Sequence, residues 1–439
     1  MTGTILQGAA VHAQEALWGA VAFDSAQAKA NAPSPAQPGQ TYIGPVNLTL
    51  GVYTGVEAND NINNSQNAPE QDLIFHNGLN VGVAWPATDQ SHLNFYSQLG
   101  YAKYLRYSSN DQFEVNPGSV LAWEMSFEDG SVTIFDEFSD SQSVITEASV
   151  SGISQLPRID NTSGLRLQWT PGRWIFEADY SHELYFSDDS AFQYLNRSTE
   201  NFVLRAAHLL AEESQLGLEV STSWTTYDVP IQSNNRSYSL GPYLEWQVTP
   251  FIEGTVRGGY TIYNFDGTPS TKVSLPPPPP PTMPPGQPVP VIIIPGQPAQ
   301  NLDSYYASLE LTHQLTDHIF QKISVERDIS LGLNAGNNFT EQITANYTVS
   351  WTATKNLGLN LSLTYENGNQ PLTIQNGIFL KPTIETENFN RVGISPGLSY
   401  QITQKLGSSL TYTYWDRTSN IAGNSYRDDS VMVQLNYSF

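Results

Sequence analysis

The feature that most constrains this chain is a two-residue rhythm of apolar and polar side chains, clearest in its last nine residues. In Val431-Met432-Val433-Gln434-Leu435-Asn436-Tyr437-Ser438-Phe439, valine, leucine, tyrosine or phenylalanine takes every odd position. An extended backbone puts those side chains on one face and mostly polar or small ones on the other. In an open sheet, a terminal strand of this kind leaves an edge that recruits other chains. In a closed barrel the last strand pairs with the first, and no edge remains.

The same period recurs from Val46 onward. Val46, Leu48, Leu50, Val52, Val56 and Ala58 share one face, and Leu73, Phe75, Leu79, Val81, Val83 and Trp85 share the next. Later segments repeat the pattern, as in Leu216/Leu218/Val220/Trp224 and Leu357/Leu359/Leu361/Leu363/Tyr365. About 18 such strands are predicted, most reaching the roughly 9 to 11 residues that a tilted strand needs to cross a bilayer. Tight breaks such as Glu128-Asp129-Gly130, Thr170-Pro171-Gly172 and Thr354-Lys355-Asn356 alternate with longer polar segments. The longer ones lie at 59–71, 107–112, 139–160, 187–197, 228–236, 266–302, 330–338, 367–386 and 417–427. Short turns at one end and long loops at the other are the plan of an all-β, up-and-down transmembrane barrel, with turns periplasmic and loops extracellular. A large soluble β protein would have shorter strands, and a solenoid or propeller would show a fixed repeat.

Composition closes off other classes. Nineteen Lys+Arg against 42 Asp+Glu give a net charge of −23, which argues against a nucleic-acid partner. The absence of cysteine excludes disulfide scaffolds, thiolate zinc sites and cysteine nucleophiles. No uncharged apolar run is long enough for a membrane helix, because prolines break the tract from Val273 to Gln300. Trp85, Trp123, Trp169, Trp174, Trp224, Trp246 and Trp351 fall mostly near strand ends beside short turns, as an interfacial aromatic girdle requires.

The terminal Tyr437-Ser438-Phe439 looks like the assembly signal of bacterial outer-membrane β-barrel proteins, and implies the barrel assembly machinery as a partner and the outer membrane as location. The region from Tyr53-Thr54-Gly55-Val56-Glu57 through Lys103-Tyr104-Leu105-Arg106-Tyr107 is similar to the β-barrel porin type 2 family. Gly241-Pro242-Tyr243-Leu244-Glu245-Trp246 and Arg257-Gly258-Gly259-Tyr260 extend that likeness. The resemblance implies an outer-membrane channel and supplies no catalytic residue.

The expected organisation is an N-terminal leader over 1–45, followed by a barrel over 46–439 with a Pro-rich extracellular loop at 266–302. Within the leader, Val11-His12-Ala13 resembles the end of a signal peptide, and a short helix around Glu15 to Ala22 is compatible with the composition. By parity, the lumen is expected to be lined by Glu57, Arg106, Glu124, Arg166, Glu177, Asp179, Glu219, Glu245, Glu253, Arg257, Glu310, Lys322, Glu366 and Arg391, together with Glu183 and Glu326. Acids outnumber bases among them, so an open lumen would attract cations. Asn59-Asp60-Asn61-Ile62-Asn63-Asn64 and Ser187-Asp188-Asp189-Ser190 lack EF-hand spacing and read as solvated loops. No hydrolase, metalloprotease or nucleotide-binding motif occurs, and neither cofactor nor metal is expected.

The functional expectation is passive diffusion of small hydrophilic solutes through a mildly cation-preferring channel. Two other readings stand beside it: a polysaccharide export conduit with inward aromatics such as Tyr53, Tyr104, Tyr185, Tyr243, Tyr263 and Trp415, and a plugged structural or adhesive barrel. Outer-membrane lipid and lipopolysaccharide are the expected surroundings, and both a monomer and a homotrimer suit this size.

Overall fold

In the computed structural model, residues 40–144, 147–274, 291–294, 296–374 and 383–439 are described. The signal-peptide-like stretch, the helix near Glu15 and the tract Pro276–Pro281 lie outside them. The chain begins with β1 (Gln40–Ile43), β2 (Val46–Asn59), β3 (Asp72–Thr88), β4 (Ser91–Tyr104), β5 (Gln112–Phe127) and β6 (Gly130–Ser141). It continues with β7 (Arg158–Trp169), β8 (Trp174–Phe186), β9 (Arg197–Ala211), β10 (Ser214–Tyr227), β11 (Asn235–Thr249) and β12 (Ile252–Phe265). The short strands β13 (Thr271–Ser274) and β14 (Val291–Ile294) pair only with each other. Then come β15 (Gln300–Thr316), β16 (Ile319–Leu331), β17 (Phe339–Thr352), β18 (Leu357–Ile374), β19 (Thr383–Gln401), β20 (Leu406–Ser419) and β21 (Tyr426–Ser438).

Strands β2 to β12 and β15 to β21 each pair antiparallel with their neighbours in the chain, β12 passing directly to β15. The ring closes where β21 meets β2, from Ser430 opposite Asn59 to Ser438 opposite Gly51. Beyond the ladder, the Phe439 N–H donates to the Leu50 carbonyl at 3.0 Å. The expected closed antiparallel barrel of 18 strands is therefore present, with no unpaired strand in its ring.

Outward faces follow the predicted parity. Leu216, Leu218 and Val220 on β10 and Val431, Val433 and Leu435 on β21 are all exposed, as lipid-facing side chains are when the lipid is removed. Trp85, Trp123, Trp169, Trp174 and Trp351 stand exposed near the turn ends, whereas Trp224 lies three residues from the loop end of β10. Midway along β8 and β18, outward tyrosines donate to polar neighbours, Tyr180 to Glu200 at 2.7 Å and Tyr365 to Asn390 at 3.0 Å. The tryptophan row marks the turn-side edge of the apolar band of an outer-membrane-type barrel.

Several segment boundaries differ from the sequence reading, among them the expected loop at 266–302, which holds β13, β14 and the start of β15. Gln40–Ile43, within the expected leader, folds back as β1 onto β2 through Gly44, whose φ of +61° suits a residue without a Cβ. Strands β18, β19 and β20 run further into the segments read as loops at 367–386 and 417–427, which places Gln370, Glu387 and Arg417 on the wall. The strand rhythm is hidden there because the inward side chains face packed loops instead of water.

Candidate functional site

The site is the barrel interior, and its central element is the connection from β6 to β7. Read from sequence as an external polar loop, residues 142–144 and 147–157 instead turn inward as a strap. Val144, Leu156 and Leu195 form a buried cluster with Ile153, Phe192, Tyr194 and Leu333, so apolar side chains from three loops hold the strap inside the mouth. Leu156 N–H donates to the Gln142 carbonyl at 2.9 Å, closing the base of the strap. Arg158 donates to the Ser143 carbonyl at 2.9 Å and pairs with Glu147 at 3.5 Å.

The far side of the strap is tied to four other parts of the barrel. Arg417 Nε of β20 donates to the Ala148 carbonyl at 2.8 Å. The Ser149 carbonyl accepts from Gln370 Nε2 of β18 at 2.8 Å and from Asn334 Nδ2 of the β16–β17 loop at 3.1 Å. Gly152 N–H reaches the Asn64 carbonyl in the β2–β3 loop at 2.9 Å. Loops 187–196 and 332–338 join the same assembly through Tyr194, whose hydroxyl donates to the Leu333 carbonyl at 2.8 Å. Burial pushes the Tyr194 phenol above its ordinary range, so it remains a donor.

Beneath the strap, the wall carries charges in cross-strand register. Glu177, Arg205 and Glu219 stand opposite one another on β8, β9 and β10. Arg205 lies 3.3 Å from Glu177 and 3.5 Å from Glu219, while Arg257 lies 3.7 Å from Glu219 and 3.5 Å from Glu245. The Tyr306 hydroxyl donates to Glu219 Oε1 at 2.9 Å. Arg166 Nε binds Asp179 at 2.8 Å. Across the barrel, Glu366, Arg391 and Arg417 stand in register on β18, β19 and β20. Arg391 Nη2 donates to Glu366 Oε1 at 3.0 Å and Arg417 pairs with Glu387 at 3.0 Å. The Arg391 guanidinium also lies over the Trp415 ring, 4.2 Å from its centroid.

Accessibility changes steeply along the lumen. Near the turn ends, the Glu310 and Lys322 side chains are 48% and 40% exposed, and Glu253 is open as well. Under the strap, Glu366 and Glu387 are 0% and Arg417 1% exposed. The lumen is thus a vestibule at the turn end and a packed polar interior at the loop end.

The remaining sequence candidates fall as follows. Glu57 pairs with His76 at 2.9 Å, and Glu124 is half-buried on the inward side of β5. Glu183 takes a hydrogen bond from Asn201 at 2.7 Å. Arg106 does not line the wall: it is exposed beyond the end of β4, because Asp72 accepts the backbone N–H groups of Arg106 and Tyr107 and ends the ladder. The patch at 59–64 is not a solvated loop, since Asn59, Asn61 and Asn64 are buried and Asn61 Nδ2 bonds the Ser65 carbonyl. Tyr53, Tyr243 and Tyr263 point inward yet are buried, so they present no open row of ring faces. Tyr437 and Phe439 make an edge-to-face contact at 5.3 Å on the outer surface of the seam.

Sequence reasoning missed the strap, Glu387, Arg417 and Tyr306. The apolar residues Val144, Val150, Ile153 and Leu156 inside a stretch read as an external loop are the signal for the strap.

No protein-family model matches the chain and no characterised protein matches it in sequence, so the likeness to the type 2 porin family stays a resemblance. Among solved structures, it is similar to OccK2 (OpdF) of Pseudomonas aeruginosa, with 10% identity over 89% of this chain and 98% of that one, at a TM-score of 0.45. OccAB3 of Acinetobacter baumannii matches at 10% identity over 90% and 100%, with a TM-score of 0.46. OmpT, an outer membrane protein of Vibrio cholerae, matches at 9% identity over 91% and 99%, with a TM-score of 0.41.

Proposed function

We propose that this chain is an outer-membrane channel for small hydrophilic solutes, that it prefers cations, and that the strap sets its narrowest point. The observation that carries the reading is the charge-lined vestibule leading to a polar interior bridged by one inward loop. Arg166, Arg205, Arg257, Arg391 and Arg417 each lie against at least one carboxylate, so they contribute little net positive field. Acids such as Glu124 and Glu253 have no such basic partner among the described ion pairs, and a lumen lined in this way attracts cations. The complete burial of Glu366, Gln370, Glu387 and Arg417 favours a second reading, a surface barrel plugged by its own loops.

Planar-bilayer recording of the purified, folded chain separates the two. Discrete conductance steps, with a reversal potential toward the cation equilibrium value under a potassium chloride gradient, are the expected result. A silent bilayer supports the plug, and a reversal toward the chloride value overturns the preference.

A further inference from the structure

We propose that the loop-end edge of β15, from Asn301 to Tyr305, is a docking site for an extended cationic peptide segment of a second protein, which joins the sheet as an added strand. This goes beyond the channel reading and does not depend on it.

The ring is closed through the bilayer, but one of its ladders stops early. β15 pairs with β12 from His313 all the way to Gln300, whereas its pairing with β16 runs only from Thr316 to Ala307. That shorter stretch already matches the roughly 9 to 11 residues that cross a bilayer. The residues above it stand beyond the lipid, where water can satisfy an unpaired backbone. The end of β16 has turned away from them. Were the register to continue, Ile329 would face Tyr305. Instead the Ile329 carbonyl accepts from the Tyr263 hydroxyl at 3.4 Å, and Ile329 and Leu331 pack with Tyr263 and Phe265 inside the barrel. Arg327 marks the parting point. Its guanidinium lies over the Tyr305 ring, 3.9 Å from the centroid, and donates to the Tyr305 carbonyl, to Ser304 Oγ at 3.1 Å and to Glu341 at 3.2 Å.

The Gln314 N–H donates to the Phe251 carbonyl at 2.8 Å, so even positions of β15 turn their backbone groups toward β12 and odd positions turn theirs the other way. Above Arg327, the N–H and C=O of Asn301 and Asp303 and the N–H of Tyr305 therefore have no backbone partner among the described residues. The side chains of all three are exposed, Tyr305 by 56%. A row of unpaired groups of this kind is a template for another strand. Three facts select the occupant. Two copies of the chain in one membrane present this edge running the same way, which excludes an antiparallel ladder between them. The neighbouring tract 276–290 is rich in proline, which has no N–H to give to a ladder. Asp303 is exposed without a basic partner among the described residues, on a chain of net charge −23, and so favours a lysine or arginine opposite it.

The test is fluorescence anisotropy of the folded full chain with an end-capped, dye-labelled peptide of about seven alternating lysine and valine residues. In the register that sets a lysine opposite Asp303, the lysine amides bond β15 and the valine amides face away. We expect saturable binding that weakens about tenfold or more when the lysine amides are N-methylated, and is unchanged when the valine amides are. Asn301→Pro should weaken it as much, because it takes one N–H from the edge and none from the β12 ladder. Heat-modifiable migration on gels reports folding, and the methylated peptides decide the matter if Asn301→Pro does not fold. Absence of saturable binding, or equal loss from both methylation patterns, overturns the proposal. In hydrogen exchange, the amides of Asn301, Asp303 and Tyr305 should exchange faster than those of Leu302, Ser304 and Tyr306, and slow when the peptide binds. Protection of the odd amides without peptide shows an edge already covered and overturns it. A wild-type dimer that Asn301→Pro dissolves also overturns it, in favour of a second copy.

Discussion

Several inward aromatic rings in this barrel, among them Tyr53, Phe135, Tyr243 and Phe389, lie across a neighbouring strand where a glycine makes the approach fit. A Cβ added at Gly217 would sit 2.5 Å from Tyr243 Cε1 and 2.9 Å from the Ala206 carbonyl oxygen, so neither ring nor backbone leaves room. Gly217→Ala should therefore cost about 1–3 kcal/mol, as overpacking does elsewhere. Urea unfolding of the purified barrel measures this, and an unchanged midpoint would show that the wall yields more easily than its geometry suggests. The charged pairs give a sharper contrast. Glu387→Ala strands the Arg417 guanidinium, only 1% exposed, without its carboxylate and should destabilise by about 3–5 kcal/mol. Glu310→Ala removes half of an exposed pair with Lys322 and should cost less than about 1 kcal/mol. Equal losses in the two variants would mean that burial does not govern their strength.

The strap is the element on which solute passage would turn. Its two central carbonyls, Ala148 and Ser149, are held by side chains from three separate parts of the wall, and Gln370 joins Ser149 to Glu387 through Nε2. Gln370→Leu leaves the Ser149 carbonyl with only Asn334 and strips Glu387 of a 2.7 Å donor, a loss of about 1–3 kcal/mol at a buried site. In bilayer recordings it should raise the mean unit conductance and add rapid fluctuations, since the strap is then less firmly tied. A quiet current of wild-type size would place the narrow point elsewhere. The sequence makes the barrel legible and the strap illegible for one reason. Rows such as Leu216/Leu218/Val220 repeat every two residues along a whole strand, and lipid on one side enforces that period. Val144, Val150, Ile153 and Leu156 bury themselves against other loops without any period, so they read as incidental. Arg106 kept the parity of β4, yet its strand had already ended where the Asp72 carboxylate captured two backbone N–H groups. Arg417 and Glu387 lay inside or beside segments read as loops because polar residues occupy both faces of the strands there.

For the molecule as a whole, everything depends on the seam where the last strand meets the first. Thr54 on β2 stands opposite Leu435 on β21 in that ladder, and Leu435 is exposed on the outer surface. Directly opposed residues of an antiparallel pair have Cα atoms about 4.5–5.5 Å apart, within the range that a disulfide spans. The chain has no cysteine of its own, so a Thr54→Cys/Leu435→Cys double variant carries a single thiol pair and no competing partner. Oxidation of the folded variant should join the two ends within one chain. The product would migrate as a monomer on non-reducing gels and keep the compact mobility of the folded barrel at temperatures that unfold the wild type. Cross-linking raises the free energy of the unfolded chain by closing a loop of nearly the whole barrel, an effect of about 6 kcal/mol in the chain-entropy account. Dimers joined through the same two positions would instead reveal β21 pairing with β2 of a neighbouring chain. Thiols that resist oxidation in the folded state would show that the two ends do not meet in this register, and the closed ring would have to be abandoned.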